Sequence, residues 1–72
     1  MDDSRGIEIR LNGALRKLPE GSTLLSLLES LGRDPRTVAV ELNRSIVRRA
    51  HLAEHRLEDG DRVEVVHFVQ GG

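Results

Sequence analysis

Arg62-Val63-Glu64-Val65-Val66-His67-Phe68-Val69-Gln70-Gly71-Gly72 closes the sequence. Its first half alternates charged and apolar residues, the period-two pattern of a half-buried strand. Its second half runs from apolar residues into Gly-Gly. Carried forward, the alternation points Val63 and Val65 to the core, puts His67 and Val69 on that same side, and turns Val66 and Phe68 outward. Two neighbouring apolar side chains on an outer face, just before a chain end, are a candidate docking patch. A bulge, which commonly re-aims a strand end, would instead tuck Phe68 inside. Gly71 and Gly72 lack Cβ, so the chain is expected to end in a narrow, flexible tail with the Gly72 α-carboxylate at its tip.

Working back from that strand, Glu58-Asp59-Gly60-Asp61 reads as a turn. It lacks the remaining spaced ligands and the closing Glu of an EF-hand calcium loop. Leu57 is expected to plug the core, and residues 50–56 to form one helical turn. His51 and His55 lie four apart there, but zinc needs at least one more protein ligand and the chain has no Cys. They read as solvated histidines. Val38-Ala39-Val40-Glu41-Leu42 is a strand with Val38, Val40 and Leu42 on one face. Asn43-Arg44-Ser45 is a tight turn into a short strand, Ile46-Val47-Arg48. Arg44, Arg48 and Arg49 form an ordinary solvated basic edge.

Further back, Leu24, Leu27, Leu28 and Leu31 make an apolar stripe for one helix over residues 23–31, widened by Leu25. Ser22 or Thr23 can accept an orphan N–H at its start, and Gly32 suits the position just past its end. A helix this short needs a sheet to pack on. Ile7-Glu8-Ile9-Arg10-Leu11 alternates as a strand with its three apolar residues inward. Asn12-Gly13 is the strongest short hairpin signal, because a type I′ turn needs positive φ at both positions. Residues 14–18 return as an edge strand, with Leu15 or Leu18 inward.

The order is therefore β-β-α-β-β-β: an α+β layer of four to five strands with one main helix on one face of the sheet. Seventy-two residues make a single small domain, too small for a deep catalytic cleft of its own. Residues 1–69 form that domain and 70–72 the tail. No Cys means no disulfide framework and no thiol nucleophile. Neither an N-terminal apolar leader nor a span of membrane length is present, so a cytoplasmic protein is expected. The net charge of −1 comes from 11 basic and 12 acidic residues mixed along the chain, and Phe68 is the one aromatic. That balance offers neither a basic footprint nor a stacking platform for nucleic acid.

This order, ending in Gly-Gly, resembles the ubiquitin-like β-grasp fold. Within it the chain is most similar to the sulfur carrier proteins of thiamin biosynthesis, the ThiS family. The resemblance rests on the Ile7-to-Asn12 strand, Gly21-Ser22-Thr23-Leu24 with Leu27-Leu28, and Val38-Ala39-Val40-Glu41-Leu42-Asn43. Ile46-Val47 with Arg49, the run Leu57-Glu58-Asp59-Gly60-Asp61-Arg62-Val63-Glu64, and Val69 before Gly71-Gly72 complete it. Arg48 stands where the family often has Pro, and Gln70 where many members have a small residue.

The resemblance implies a protein co-substrate with no catalytic residues and no bound cofactor or metal. A ThiF-like adenylating enzyme would use Mg-ATP to activate the Gly72 carboxylate. A sulfur donor such as a cysteine desulfurase relay would then leave a thiocarboxylate for thiazole synthase (ThiG-like). Gly71 and Gln70 would be gripped as the tail, Val66 and Phe68 would dock, and the free protein would be a monomer. The alternatives are a molybdopterin synthase small subunit, a ubiquitin-like modifier linked through Gly72 to lysines, and a passive interaction module.

Overall fold

The computed structural model describes residues 6–68. Five strands, β1 (Gly6–Leu11), β2 (Ala14–Pro19), β3 (Val38–Leu42), β4 (Ser45–Val47) and β5 (Arg62–His67), form one sheet in the order β2-β1-β5-β3-β4. β1 and β5 run parallel and the other neighbours antiparallel. The helix α1 (Leu24–Ser30) covers one face, which gives the expected β-grasp.

The β1–β2 hairpin forms because Asn12 and Gly13 accept left-handed backbone, at φ 51° and 87°. Its register sets Ile7 opposite Leu18 and Arg10 opposite Leu15. Leu18 is therefore the inward residue of β2 and is buried, while Leu15 is exposed. On β1, Ile9 is fully buried and Ile7 and Leu11 pack against the core.

α1 starts at Thr23. Its Oγ1 accepts from the Ser26 N–H at 3.0 Å, and the Ser26 Oγ accepts from the Thr23 N–H at 2.8 Å, a reciprocal cap. It ends at Gly32 (φ 71°), where the Arg33 N–H reaches Leu28 O at 3.0 Å and the Gly32 N–H reaches Glu29 O at 3.1 Å. This is the Schellman pattern, which satisfies carbonyls the helix leaves open. The seven-residue helix is held by burial of Leu24, Leu27 and Leu28, each about 1.5–3 kcal/mol relative to exposure.

A 3-10 segment, Arg49–Glu54, occupies the place of the expected helical turn. The Leu24 N–H donates to His55 O at 3.0 Å and the Leu57 N–H to Ser22 O at 2.8 Å. These bonds tie the following residues to the start of α1 and seat Leu52 and Leu57 in the core. Leu57 was expected there; Leu52 was not, because its neighbours carry no apolar periodicity.

The Glu58–Asp61 turn is stitched to β1. The Gly60 N–H donates to Glu8 O, the Glu8 N–H to Asp59 Oδ1 and the Glu58 N–H to Asp61 Oδ2, each at 2.8 Å. Its two aspartate carboxylates thus accept from backbone donors, and among the described residues no group of three potential ligands could hold a metal ion.

Candidate functional site

The candidate site is the far end of β5 and the sheet face turned away from α1. β5 is central, between β1 and β3. Val63 is fully buried and Val65 half-buried, whereas Val66 is 57% and Phe68 42% exposed. The pairing keeps the strand's parity through His67, opposite Val38, and Phe68 stays exposed rather than tucked inside. Its N–H donates to Thr37 O at 3.0 Å, which keeps the backbone beside β3 one residue past the strand.

His67 keeps the expected side without the burial. It lies on the inward parity, opposite Val38, yet it is exposed. β5 has outrun the core there: on its other side the pairing with β1 stops at Val63. Gln70, Gly71 and Gly72, the expected tail, lie outside the described residues, as does Val69.

The outer face carries more than the patch read from sequence. Leu15 (60% exposed) and Ile46 (73%) also lie on it, by their pairings with Arg10 and Glu41. The periodicity of β2 and β4 was too short to reveal them. Val66 pairs with Ala39, so the apolar patch extends onto β3. Below it, cross-strand neighbours share a sign: Glu41 faces Glu64, and Arg10 faces Arg62. Opposed like charges normally weaken a sheet. Among the described residues none of the four is in an ion pair within 4 Å; the two contacts of that kind are Arg36–Asp34 and His51–Glu54. Along β5 the face thus runs from basic through acidic to apolar toward Phe68.

The histidine pair does not assemble. On a 3-10 segment, residues three apart share a face, and His51 Nδ1 accordingly meets Glu54 Oε1 at 3.1 Å rather than His55. Arg44, Arg48 and Arg49 are all exposed. Arg44, however, is held at φ 75° in the two-residue Asn43-Arg44 turn, a region that glycine occupies at lower cost.

Two asparagine side chains grip β5, and sequence reading had used both only as turn formers. Asn43 Oδ1 accepts from the Arg62 N–H at 2.9 Å, its own N–H donates to Arg62 O at 2.7 Å, and its Nδ2 donates to Asp61 Oδ1 at 3.1 Å. Asn12 bonds both backbone groups of Val65 from the opposite side. The available signal was Asn at the first position of both hairpin turns.

The ThiS family model matches residues 9–72. The chain belongs to the ThiS family. A sulfur carrier protein ThiS from Thermus thermophilus is 45% identical over 62 residues, which cover 86% of this chain and 95% of that one. A thiazole synthase from Magnetococcus marinus is 42% identical over 66 residues, 92% of this chain but 20% of that protein. The chain thus spans about a fifth of that thiazole synthase and nearly all of the ThiS carrier. The crystal structure of a thiamine biosynthesis protein (ThiS) from Geobacter metallireducens superposes with a TM-score of 0.79 at 29% identity, covering 92% of this chain and all of that one. The ThiS β-grasp, five strands around one helix, is therefore the fold here. Among the described residues no helix is long and apolar enough to cross a membrane.

Proposed function

We propose that this chain is a sulfur carrier of thiamin biosynthesis, a co-substrate whose reacting group is the Gly72 α-carboxylate. The observation that carries the reading is the exposed Val66–Phe68 end of β5, four residues before Gly72, in a chain matched by the ThiS family model through Gly72.

The chemistry needs an activated acid, because a carboxylate is a poor electrophile. In the proposed sequence the Gly72 carboxylate attacks the α-phosphate of ATP on a ThiF-like adenylating enzyme. An acyl-adenylate forms and pyrophosphate leaves. A persulfide sulfur, delivered by a donor such as a cysteine desulfurase relay, displaces AMP. A second thiol then cleaves the acyl disulfide and leaves the thiocarboxylate. Magnesium and ATP belong to the partner's active site, and the carrier contributes no catalytic residue.

Gln70, Gly71 and Gly72 would thread the partner's channel, and the absence of Cβ at the last two suits a narrow one. Fixing each residue there costs about 1–2 kcal/mol of backbone entropy, which docking of the body must offset. Val66 and Phe68 supply apolar area for that docking, and Glu41 with Glu64 favours a partner that places an arginine or lysine between them. Thiazole synthase is the proposed acceptor of the sulfur. The M. marinus relative supports this, since a region like this chain lies there within a protein bearing that name. The carrier is proposed to work as a free monomer in the cytoplasm, where ATP is available.

Intact-mass measurement of the native protein comes first, because the mechanism requires Gly72 to be its last residue. Incubation with a ThiF-like enzyme, Mg-ATP and a persulfide source should then add about 16 Da, the replacement of one oxygen by sulfur in the activated acyl group. No mass change with competent partners overturns the reading, and deletion of Gly72 should abolish the product. Adducts on lysines of other proteins would point instead to a modifier.

A further inference from the structure

β5 is paired to the end of its length on the β3 side, where His67 still faces Val38. On the β1 side backbone pairing covers Arg10–Arg62 and Leu11–Val63, and its last bond runs from the Asn12 N–H to Val63 O at 2.9 Å. At Asn12 the chain turns away into the hairpin, at φ 51°. Its side chain then continues what the backbone abandons. The Val65 N–H donates to Asn12 Oδ1 at 2.8 Å, and Asn12 Nδ2 donates to Val65 O at 3.2 Å. One primary amide thus offers the acceptor and the donor that the next residue of a neighbouring strand would have offered. The residue after Val65 is Val66, the first of the exposed patch.

We propose that Asn12 is a positioning residue: its side-chain amide, standing in for a missing strand residue, holds β5 at Val65 and thereby places the docking patch to which the Gly72 carboxylate is tethered. The inference rests on the carrier reading above. Its leverage is geometric. Seven residues separate Val65 from Gly72, at most about 25 Å of extended chain. Where the body meets its partner sets where that tethered carboxylate can reach, and misplacement of a reacting group by about 1 Å can slow a reaction about a hundredfold.

Turn formation and clamping are separable. Asn12→Gly keeps a residue suited to positive φ, so the hairpin is retained while both bonds to Val65 are lost. Asn12→Asp keeps the acceptor for the Val65 N–H and loses the donor. Amide exchange by NMR on the free protein reads the clamp, and steady-state adenylation by a ThiF-like enzyme with Mg-ATP reads the placement. In Asn12→Gly we expect exchange at Val65 to quicken at least about tenfold and kcat to fall about tenfold or more, with KM within about threefold because Val66 and Phe68 remain. Asn12→Asp should fall between.

Ile7→Val, a core trim with Asn12 intact, serves as the control for lost stability. Equal loss of kcat in Ile7→Val at an equal drop in Tm, unchanged Val65 exchange in Asn12→Gly, or full adenylation of Asn12→Gly would each overturn the proposal. Failure of the wild-type protein to be adenylated would instead overturn the carrier reading.

Discussion

The two ends of β5 are built from the same kind of residue and meet opposite surroundings. At its start, Val63 is fully buried, Arg62 is gripped by Asn43, and the preceding turn is laced to Glu8 on β1. At its end, Val66 and Phe68 face water, β1 has turned away, and the remaining supports are the Asn12 amide, β3 and one bond to Thr37 O. A valine is fully buried at one position and exposed to water three residues later. Parity and neighbouring strands, rather than hydrophobicity, decide which.

Charge introduced at either end tests this contrast most strongly. Val63→Asp places an unpaired carboxylate among buried apolar residues, which costs several kcal/mol in a domain whose whole stability is about 4–11 kcal/mol. Circular dichroism should show it unfolded at 25 °C. Val66→Asp and Phe68→Asp should keep the wild-type spectrum, with kcat/KM for adenylation falling about tenfold or more as an apolar contact is lost. Unfolding of Val66→Asp would show that the far end is core after all.

A gain of stability should be available beside the start of β5. Arg44 holds φ 75° in the hairpin whose Asn43 clamps Arg62. Arg44→Gly should relieve about 1 kcal/mol of left-handed strain, raising Tm by roughly 4–8 °C in a thermal melt. The adenylation rate should not change, because the turn lies at the start of β5, at the opposite end from Val66.

The smallest effect belongs to the far end. Asp34 caps the turn Pro35–Thr37 that receives the Phe68 N–H, and its side chain accepts from the Arg36 N–H at 2.9 Å. Its hydrogen bonds from the Arg36 side chain and backbone hold its carboxyl below the ordinary value of 3.8. A depressed folded-state pKa stabilises the fold above about 3.8, and that contribution fades as pH falls through the lowered value. Because the pair is exposed the loss is slight. The Phe68 amide should exchange faster in acid relative to Val63, and Asp34→Asn should remove that pH dependence.

Much of this was legible because it is local. The Ile7–Leu11 alternation, Asn12-Gly13, the Leu24-Leu27-Leu28 stripe stopped by Gly32, and the outward parity of Val66 and Phe68 each follow from backbone geometry within a few residues. What escaped reading depends on partners far along the chain. The choice of Leu18 over Leu15 follows from the hairpin register, and the burial of Leu52 from bonds between residues 55–57 and the start of α1. The exposure of His67 follows from where β1 ends.

The sequence by itself determined the strand and helix periods, the positive-φ turns and the Gly-Gly at Gly72, because sterics and hydrophobic patterning act over one or two turns of chain. Only the tertiary structure decided that Asn12 and Asn43 hold β5 from opposite sides, and that Glu41 faces Glu64 and Arg10 faces Arg62. Those are relations between residues 19 to 53 positions apart, and hydrogen bonds and charges take their meaning from the partner the fold supplies.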